Sequence, residues 1–448
     1  MLRPELQPSN ELNRDDDPRS SALGGWKPEL LRIHALILIT VLGLGILWPG
    51  RGLAGQWFKG NLHTHSLWSD GDDFPEMIVE WYRTNQYHFL TLSDHNIVQT
   101  GEKWVPVRNV NDGWWALERY LKRFGPDWVQ RREKDGVVQV RLRTLEEIRP
   151  EFESPGKFLL MMGEEITARY KTLPVHLNAY PVRDMLRPLE GTNVVDVLQR
   201  NVDQVLEHRA RTGLPTVVHV NHPNFDYGIT AEELMQIRGE RFFEVYNGHP
   251  LVYNEGDAYH PGTDRMWDIM LAFRLTKLDL GPIYGLATDD SHNYEGQSIT
   301  QSNPGRGWVM VRASELSAGA LIAALEAGDF YASSGVRLKS LTRQKGELSL
   351  VIDGEPGVTY TTQFIGTRQG FDETSQAGQR PPSGSFPVTR EYSEDIGRVF
   401  SEQTGWEPSY RMKGDELYVR AKIVSSKNKA NPYREGEVEQ AWVQPLLR

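Results

Sequence analysis

Two histidines one residue apart, His63 and His65, open a segment that closes on Asp94 and His95. Alternate side chains of a strand share a face, so a His-x-His pair presents two imidazoles to one point and can grip one metal ion. Asp70, in the tight loop Ser69-Asp70-Gly71, is placed to bring a carboxylate back over the same ion. Between these residues lies a β-α-β unit. Asp73 is the expected N-cap and Pro75 falls in the first turn; Met77, Ile78, Trp81 and Tyr82 make the apolar stripe of a helix, and His88 to Leu92 reads as the second strand. A lone histidine is ordinarily a satisfied core or surface residue. Here a His-x-His pair, an Asp in a glycine turn and an Asp-His pair all fall at strand ends within one short segment, and together they point to metal ligation.

The same pattern of strand, ligand-type residue, then helix or loop repeats downstream. Phe158 to Met162 ends in Gly163-Glu164-Glu165, Val175 to Asn178 contains His176, and Pro215 to Val220 leads into Asn221-His222-Pro223. Phe242 to Tyr246 ends at Asn247, and Ile283 to Ala287 runs into Thr288-Asp289-Asp290-Ser291-His292. Thr192 is the expected cap of a long helix ending near Gly213, and Thr230 with Glu233 has the form of a capping box. Parallel α/β barrels place their active sites at the C-terminal ends of the strands, so ligands from six segments can converge although they are far apart in sequence.

The chain of 448 residues is long enough for a large catalytic domain and a smaller one. Lysine plus arginine number 50 against 60 aspartate plus glutamate, a formal charge of -10, which argues against tight binding to duplex nucleic acid. With no cysteine, any metal must use imidazole and oxygen donors.

Residues 1 to 28 are polar and lack apolar periodicity, as expected of a disordered leader. The apolar run from Ile33 to Trp48, followed by Gly52-Leu53-Ala54, reads as a secretory signal with the mature chain beginning near Gly55, or else as an uncleaved membrane tether through residues 33–48. Export to the periplasm or beyond follows from the first reading. Residues 55–335 form the expected barrel, interrupted by a tryptophan-rich insertion at about 99–157, in which Trp104, Trp114, Trp115 and Trp128 are expected to pack a lid rather than stack on a ligand. From Val336 the texture changes to alternating strands separated by Gly, Pro and Ser turns, the pattern of a small β-sandwich-like domain over 336–448.

In this arrangement the residues resemble the PHP (polymerase and histidinol phosphatase) metallophosphoesterases. The matching elements are His63-Thr64-His65, Ser69-Asp70-Gly71, Asp94-His95, Gly163-Glu164-Glu165, His176, His222-Pro223 and Asp290-Ser291-His292, in the family's order over about 230 residues. The resemblance implies a distorted seven-stranded (β/α) barrel holding two or three Zn, Mn or Fe ions and hydrolysing a phosphate ester. It implies ligand roles for His63, His65, Asp70, His95, Glu165, His176, His222, Asp290 and His292. Glu165 is preferred to Glu164 by the Gly-x-Glu pattern, Asp290 to Asp289 by Asp-x-His, and His222 to His219 by the proline that follows. His219 is then a buried strand residue, and His249, near Asn247 on a strand-end loop, faces the pocket in one reading.

A cluster of this kind would lower the pKa of a water towards neutrality and neutralise phosphate oxygens, with Glu165 as the bridging carboxylate. Asp94 is expected to orient that water or His95, and Arg306 to clamp the phosphate, an ordinary surface salt bridge being the alternative for Arg306. The substrate class is a small phosphate mono- or diester or nucleotide. Two rivals stand beside this reading: an amidohydrolase-type amide or lactone hydrolase, disfavoured because no lysine occupies a ligand-bearing strand end, and a non-catalytic cell-surface binding protein.

Overall fold

The computed structural model describes residues 55–107, 114–344, 346–380 and 387–448. The polar leader and the apolar run at 33–48 lie outside them, and among the described residues no helix is long and apolar enough to cross a membrane.

Two sheets carry the ligand-type residues. The first orders its strands Tyr284–Thr288, Phe242–Asn247, Val217–Val220, Leu173–Tyr180 and Glu164–Tyr170; the first three run parallel and the last two pair antiparallel. The second has nine strands in the order Arg398–Thr404, Tyr360–Arg368, Glu416–Asn428, Val438–Leu447, Phe330–Ser333, Trp308–Ala313, Gln56–Asn61, Phe89–Leu92 and Leu159–Met162. Only its last three strands are mutually parallel. Four of the parallel strands are covered on both faces, so every residue in them is buried: Phe89–Leu92, Val217–Val220, Phe242–Asn247 and Tyr284–Thr288, including the polar Thr91, His219 and Glu244.

The architecture is therefore mixed α/β, but hydrogen bonding does not close a seven-stranded ring as expected. The two sheets remain open and abut where Leu159–Met162 turns into Glu164–Tyr170 at Gly163. A Cβ at that position would lie 2.4 Å from Thr91 Cγ2 and 3.1 Å from the Leu92 carbonyl, so only glycine lets the chain pass this close to its neighbour. Isolated bridges between His95 and Glu165, and between Thr64 and Ser291, draw the strand ends together at the seam.

The helix Val194–Thr212 packs Val197, Leu198, Val202 and Val205 against the five-stranded sheet. Its cap is Asn193, one residue beyond the expected Thr192, because the Asn193 side chain accepts the Asp196 N–H while Thr192 donates to the Asp196 carboxylate. It ends at Gly213 in the left-handed conformation, and the Thr230–Glu233 capping box forms as read. The helix Pro75–Thr84 starts after Phe74 rather than at Asp73, whose carboxylate instead accepts the Phe74 N–H and pairs with Arg119.

In the insertion, Lys103–Pro106, Arg131–Lys134 and Val137–Leu142 form a small sheet. With the helix Trp114–Phe124 it covers Leu67, Trp68 and Phe74. Trp128 packs there and donates to Glu76, whereas Trp114 and Trp115 stay exposed, against the expectation of packing for both.

The alternating strands after Val336 make a second layer. Leu338–Gln344, Glu347–Ile352 and Ser409–Arg411 pair with one another and enclose Leu341, Leu348, Leu350, Tyr360, Phe364, Val419 and Ile423 with the nine-stranded sheet. Val438–Leu447 pairs with Phe330–Ser333, so the hydrogen-bonded sheet continues across the expected boundary near residue 335, and the described residues from 55 onward form one compact unit.

A buried ion network fastens these strands to the helix Thr263–Thr276. The Arg420 guanidinium, 1% exposed, lies 2.6 Å from Asp268 and 3.0 Å from Asp264, and the Tyr418 hydroxyl donates to Asp268. Removing Asp268 takes from the buried guanidinium its nearer and more buried carboxylate and leaves it only Asp264. Asp268→Ala is therefore expected to lower unfolding stability by about 3 kcal/mol in a denaturant titration, whereas Lys427→Ala, which breaks half-exposed pairs with Glu355 and Glu439, should cost below about 1 kcal/mol.

Candidate metal centre

His63 and His65 follow directly on the strand Gln56–Asn61, and both imidazoles are fully buried. Their Nε2 atoms lie 3.1 Å apart. Glu165 Oε2 stands 3.2 Å from His63 Nε2 and 3.1 Å from His65 Nε2, and Asp290 Oδ1 is 3.2 Å from each. Four donors from three chain segments thus surround one point. A tetrahedral ion with arms of about 2.0–2.1 Å requires donor separations of roughly 3.3–3.4 Å, so the set fits a small divalent cation with only slight expansion.

The other oxygen of Glu165 belongs to a second group. Oε1 lies 2.9 Å from His176 Nδ1 and 3.5 Å from His222 Nε2, and accepts a hydrogen bond from Asn221 at 2.9 Å. A third group gathers around Asp70, with His95 Nε2 and His292 Nε2 each at 3.4 Å and His65 Nδ1 at 3.6 Å. A neutral imidazole can give a lone pair from only one nitrogen. His65 is closer to the first group, which leaves Asp70, His95 and His292 as the third donor set. All nine residues assigned by resemblance are thus brought together at the seam between the sheets.

With imidazoles this close, the carboxylates stay ionised despite burial. Burial alone would raise Glu165, but His95 and His63 hold it well below the usual carboxylate range, and Asp290 is held down in the same way by His63 and His65. Conversely His95, although disfavoured as a cation by burial, is pushed up to about 11 by Glu165 and Asp70. The cluster therefore demands positive charge, which protons or divalent ions can supply in competition.

Glu244 carries no motif of its own in the sequence, since it lies inside the strand Phe242–Asn247 rather than at its end. Its Oε1 is 2.7 Å from His63 Nδ1 and 3.2 Å from His219 Nε2, and accepts the Thr288 hydroxyl; Oε2 accepts the His222 N–H and the Asn247 amide. Glu244 and His219 also make a compact triad with His63. Every Glu244 oxygen already has neighbouring donors, so its role is to hold Nδ1–H of His63 and leave Nε2 free for a metal. The strand's alternation offers the available signal: Glu244 is an acid at a position between apolar neighbours.

Neither residue given a catalytic part faces the cluster. Asp94 Oδ1 accepts the Ser66 N–H and the Ser69 hydroxyl, while Oδ2 accepts the Ser66 hydroxyl and the Gln99 amide. It orders the loop that carries Asp70 and has no bond to spare for a water or for His95. Arg306 is fully buried; its guanidinium donates to the carbonyls of Gly248, Gln301, Ser298 and Pro432 and to Asn431 and Asn303. It is neither a phosphate clamp nor a surface salt bridge, because carbonyl oxygens and side-chain amides occupy all its donors.

Asp289 likewise turns away from the cluster and accepts the N–H groups of Gly305, Arg306 and Gly307 and the Tyr82 hydroxyl. Glu164 accepts the Leu186 N–H, and burial pushes its carboxyl up to about 8. His249 stands beside the cluster, its ring 5.6 Å from that of His292.

No protein-family model matches the chain, and no curated protein matches it. Among solved structures, a two-domain protein from Bacteroides vulgatus, described as containing a PHP-like metal-dependent phosphoesterase, covers 87% of this chain and 95% of its own at 15% identity and a TM-score of 0.37. A Bifidobacterium adolescentis protein described as a metal-dependent phosphoesterase covers 52% of this chain and 87% of its own at 15% identity and a TM-score of 0.24. Both descriptions are themselves predictions, and superposition at these scores establishes neither a shared fold nor a shared activity.

The Glu244–His63 contact is separable from the donors themselves. Glu244→Gln is expected to weaken the tightest-bound divalent ion by about 10–100-fold, as loss of such outer partners typically does. Competition against a chromogenic chelator checks this, and an unchanged affinity would show that His63 needs no orienting carboxylate.

Proposed function

We propose that this protein is a PHP-type metal-dependent phosphoesterase that holds two or three divalent ions and hydrolyses a phosphate mono- or diester. The observation that carries this reading is Glu165, whose two oxygens face different histidines: Oε1 faces His176 and His222, and Oε2 faces His63 and His65, with His95 Nδ1 a third neighbour at 3.0 Å. A carboxylate so divided suits a bridge between two ions, and the Asp70, His95 and His292 set suits a third. Imidazole and carboxylate donors in this mixture favour Zn, Mn or Fe.

Divalent ions bound there would supply Lewis acidity towards phosphoryl oxygens and bring a water's pKa towards neutrality. The chain's own residues set the direction of approach. His63, His65 and Glu165 have no exposed side-chain surface, whereas Asp70 is 55% exposed, His95 26% and His292 17%. A substrate must therefore arrive from the Asp70, His95 and His292 side. His63, fixed through Glu244, and Asp290, fixed through Asn247, close the inner side against water.

The distorted-barrel description belongs to the same proposal, with the seam at Gly163 as the distortion. So does export: the apolar run at 33–48 supports placing the activity outside the cytoplasm, on phosphate esters, nucleotides or cell-envelope phosphates.

Metal-reconstituted protein is expected to bind at least two ions per chain and to release phosphate from a screen of mono- and diesters. Activity should vanish on chelation and return with Mn²⁺ or Zn²⁺. Glu165→Gln should lower both metal content and turnover at least tenfold, since a neutral amide cannot supply the bridging charge, while Glu164→Gln should leave metal content unchanged. Fewer than two ions per chain after reconstitution contradicts the proposal. A full metal load with turnover of an amide or lactone, and of no phosphate ester, assigns the site to amidohydrolase chemistry instead.

A further inference from the structure

A phosphate ester at this centre needs donors for the phosphoryl oxygens that the ions do not reach. Arg306 is consumed by carbonyl and amide oxygens, and among the described residues no lysine or arginine pairs with any of the nine cluster residues. The open rim must then supply a neutral donor, and the loop after Phe242–Asn247 brings one there.

His249 sits at that rim between two rings that meet it edge-on, His292 at 5.6 Å and Phe225 at 6.2 Å. Phe225 in turn lies 5.2 Å from the His222 ring, so His249 borders the third donor set directly and is separated from the second by the Phe225 ring. Its backbone is tied to the same carboxylates that order the ligands. The His249 N–H donates to Asn247 Oδ1, and Asn247 Nδ2 donates to Glu244 and to Asp290.

The imidazole's tautomer follows from one hydrogen bond. The Leu251 N–H donates to His249 Nδ1 at 3.2 Å. Only an unprotonated nitrogen can accept, so the ring carries its proton on Nε2. That nitrogen cannot ligate a metal while protonated, and no protein acceptor meets it among the described residues. The result is a neutral donor of fixed orientation, held at the mouth through which substrate must pass.

We propose that His249 is a substrate-contacting residue whose Nε2–H donates a hydrogen bond to a phosphoryl oxygen of the ester bound at the metal centre, with Phe225 as the adjoining apolar wall. This rests on the phosphoesterase reading. A neutral donor adds no charge that would bind anions away from the ions, and so it favours ligands already positioned by them.

The test measures inorganic phosphate binding to the full metal-loaded chain by calorimetry, alongside metal content and steady-state kinetics. His249→Phe keeps the ring and removes the donor. It should retain the full metal load, bind phosphate about tenfold or more weakly and lose a similar factor in kcat/KM. His249→Gln, whose amide nitrogen can reach the same point, should recover most of the affinity. Unchanged phosphate affinity in His249→Phe overturns the assignment, as does a loss of metal in step with the loss of affinity, or wild-type protein that takes up metal but no phosphate. Phosphate bound in a His249-dependent way without turnover of any ester would leave the donor in place and refute the hydrolase reading, so the two failures are distinguishable.

Discussion

A carboxylate buried without solvent contact constrains everything around it. Glu165 would be several kcal/mol too costly to ionise in an apolar interior, and the chain meets that cost by surrounding it with imidazoles from four segments. That requires a strand end where two sheets meet, because no single strand presents neighbours on so many sides. The close passage at Gly163, the bridge between His95 and Glu165 and the open seam between the sheets are consequences of placing this one residue.

Around the inner donors stands an outer set of buried acids that face away from the cluster or stand behind it. Glu244 holds His63, Asp94 holds the Ser66–Ser69 loop behind Asp70, and Asp289 holds the return loop behind Asp290. Each carries several hydrogen bonds, which a buried carboxylate needs in any case. Here those bonds also fix the rotamers of the donors, so that the geometry exists before any ion arrives.

What could be read from the sequence follows from this division of labour. The inner donors are local signals: His63-x-His65, Asp70 before a glycine, Asp290-x-His292 and His222-Pro223 carry their chemistry in their spacing, and strand ends are where parallel strands put it. The outer acids have no such signature. Glu244 meets His63 across 181 residues, and only the folded chain reveals the contact. Asp94 sits next to a ligand in sequence yet points elsewhere, because its neighbour His95 takes the inward direction and the period of the strand turns Asp94 away. Arg306 follows a related rule: a glycine-flanked arginine near a metal motif suggests a phosphate clamp, but its guanidinium is taken up by Gln301 and Ser298 of its own loop and by the distant Gly248 and Pro432. Continuity of the nine-stranded sheet was equally hidden, since the return of Val438–Leu447 to Phe330–Ser333 is a pairing over more than a hundred residues.

That return explains why the β-rich segment cannot be neutral towards the site. Arg306 joins the loop ending in Trp308 to the carbonyl of Pro432 and the side chain of Asn431, and Lys429 donates to the Arg306 carbonyl, to Tyr246 and to Glu437. The same loop is pinned by Asp289, which adjoins Asp290 in the chain. Residues 429–433 therefore brace from behind the segment that presents Asp290 and His292, much as Glu244 braces His63. On its other side the segment is held by backbone bonds to the His-x-His stretch, the Asp290 N–H donating to the His63 carbonyl and the His65 N–H to the Ser291 carbonyl, so ligands and backing are fixed together. The β-rich segment thus reaches the site through two buried cations: Arg306 and Lys429 tie residues 429–432 to the loop whose other end presents Asp290 and His292, so a change in those strands is felt at the donors without touching them.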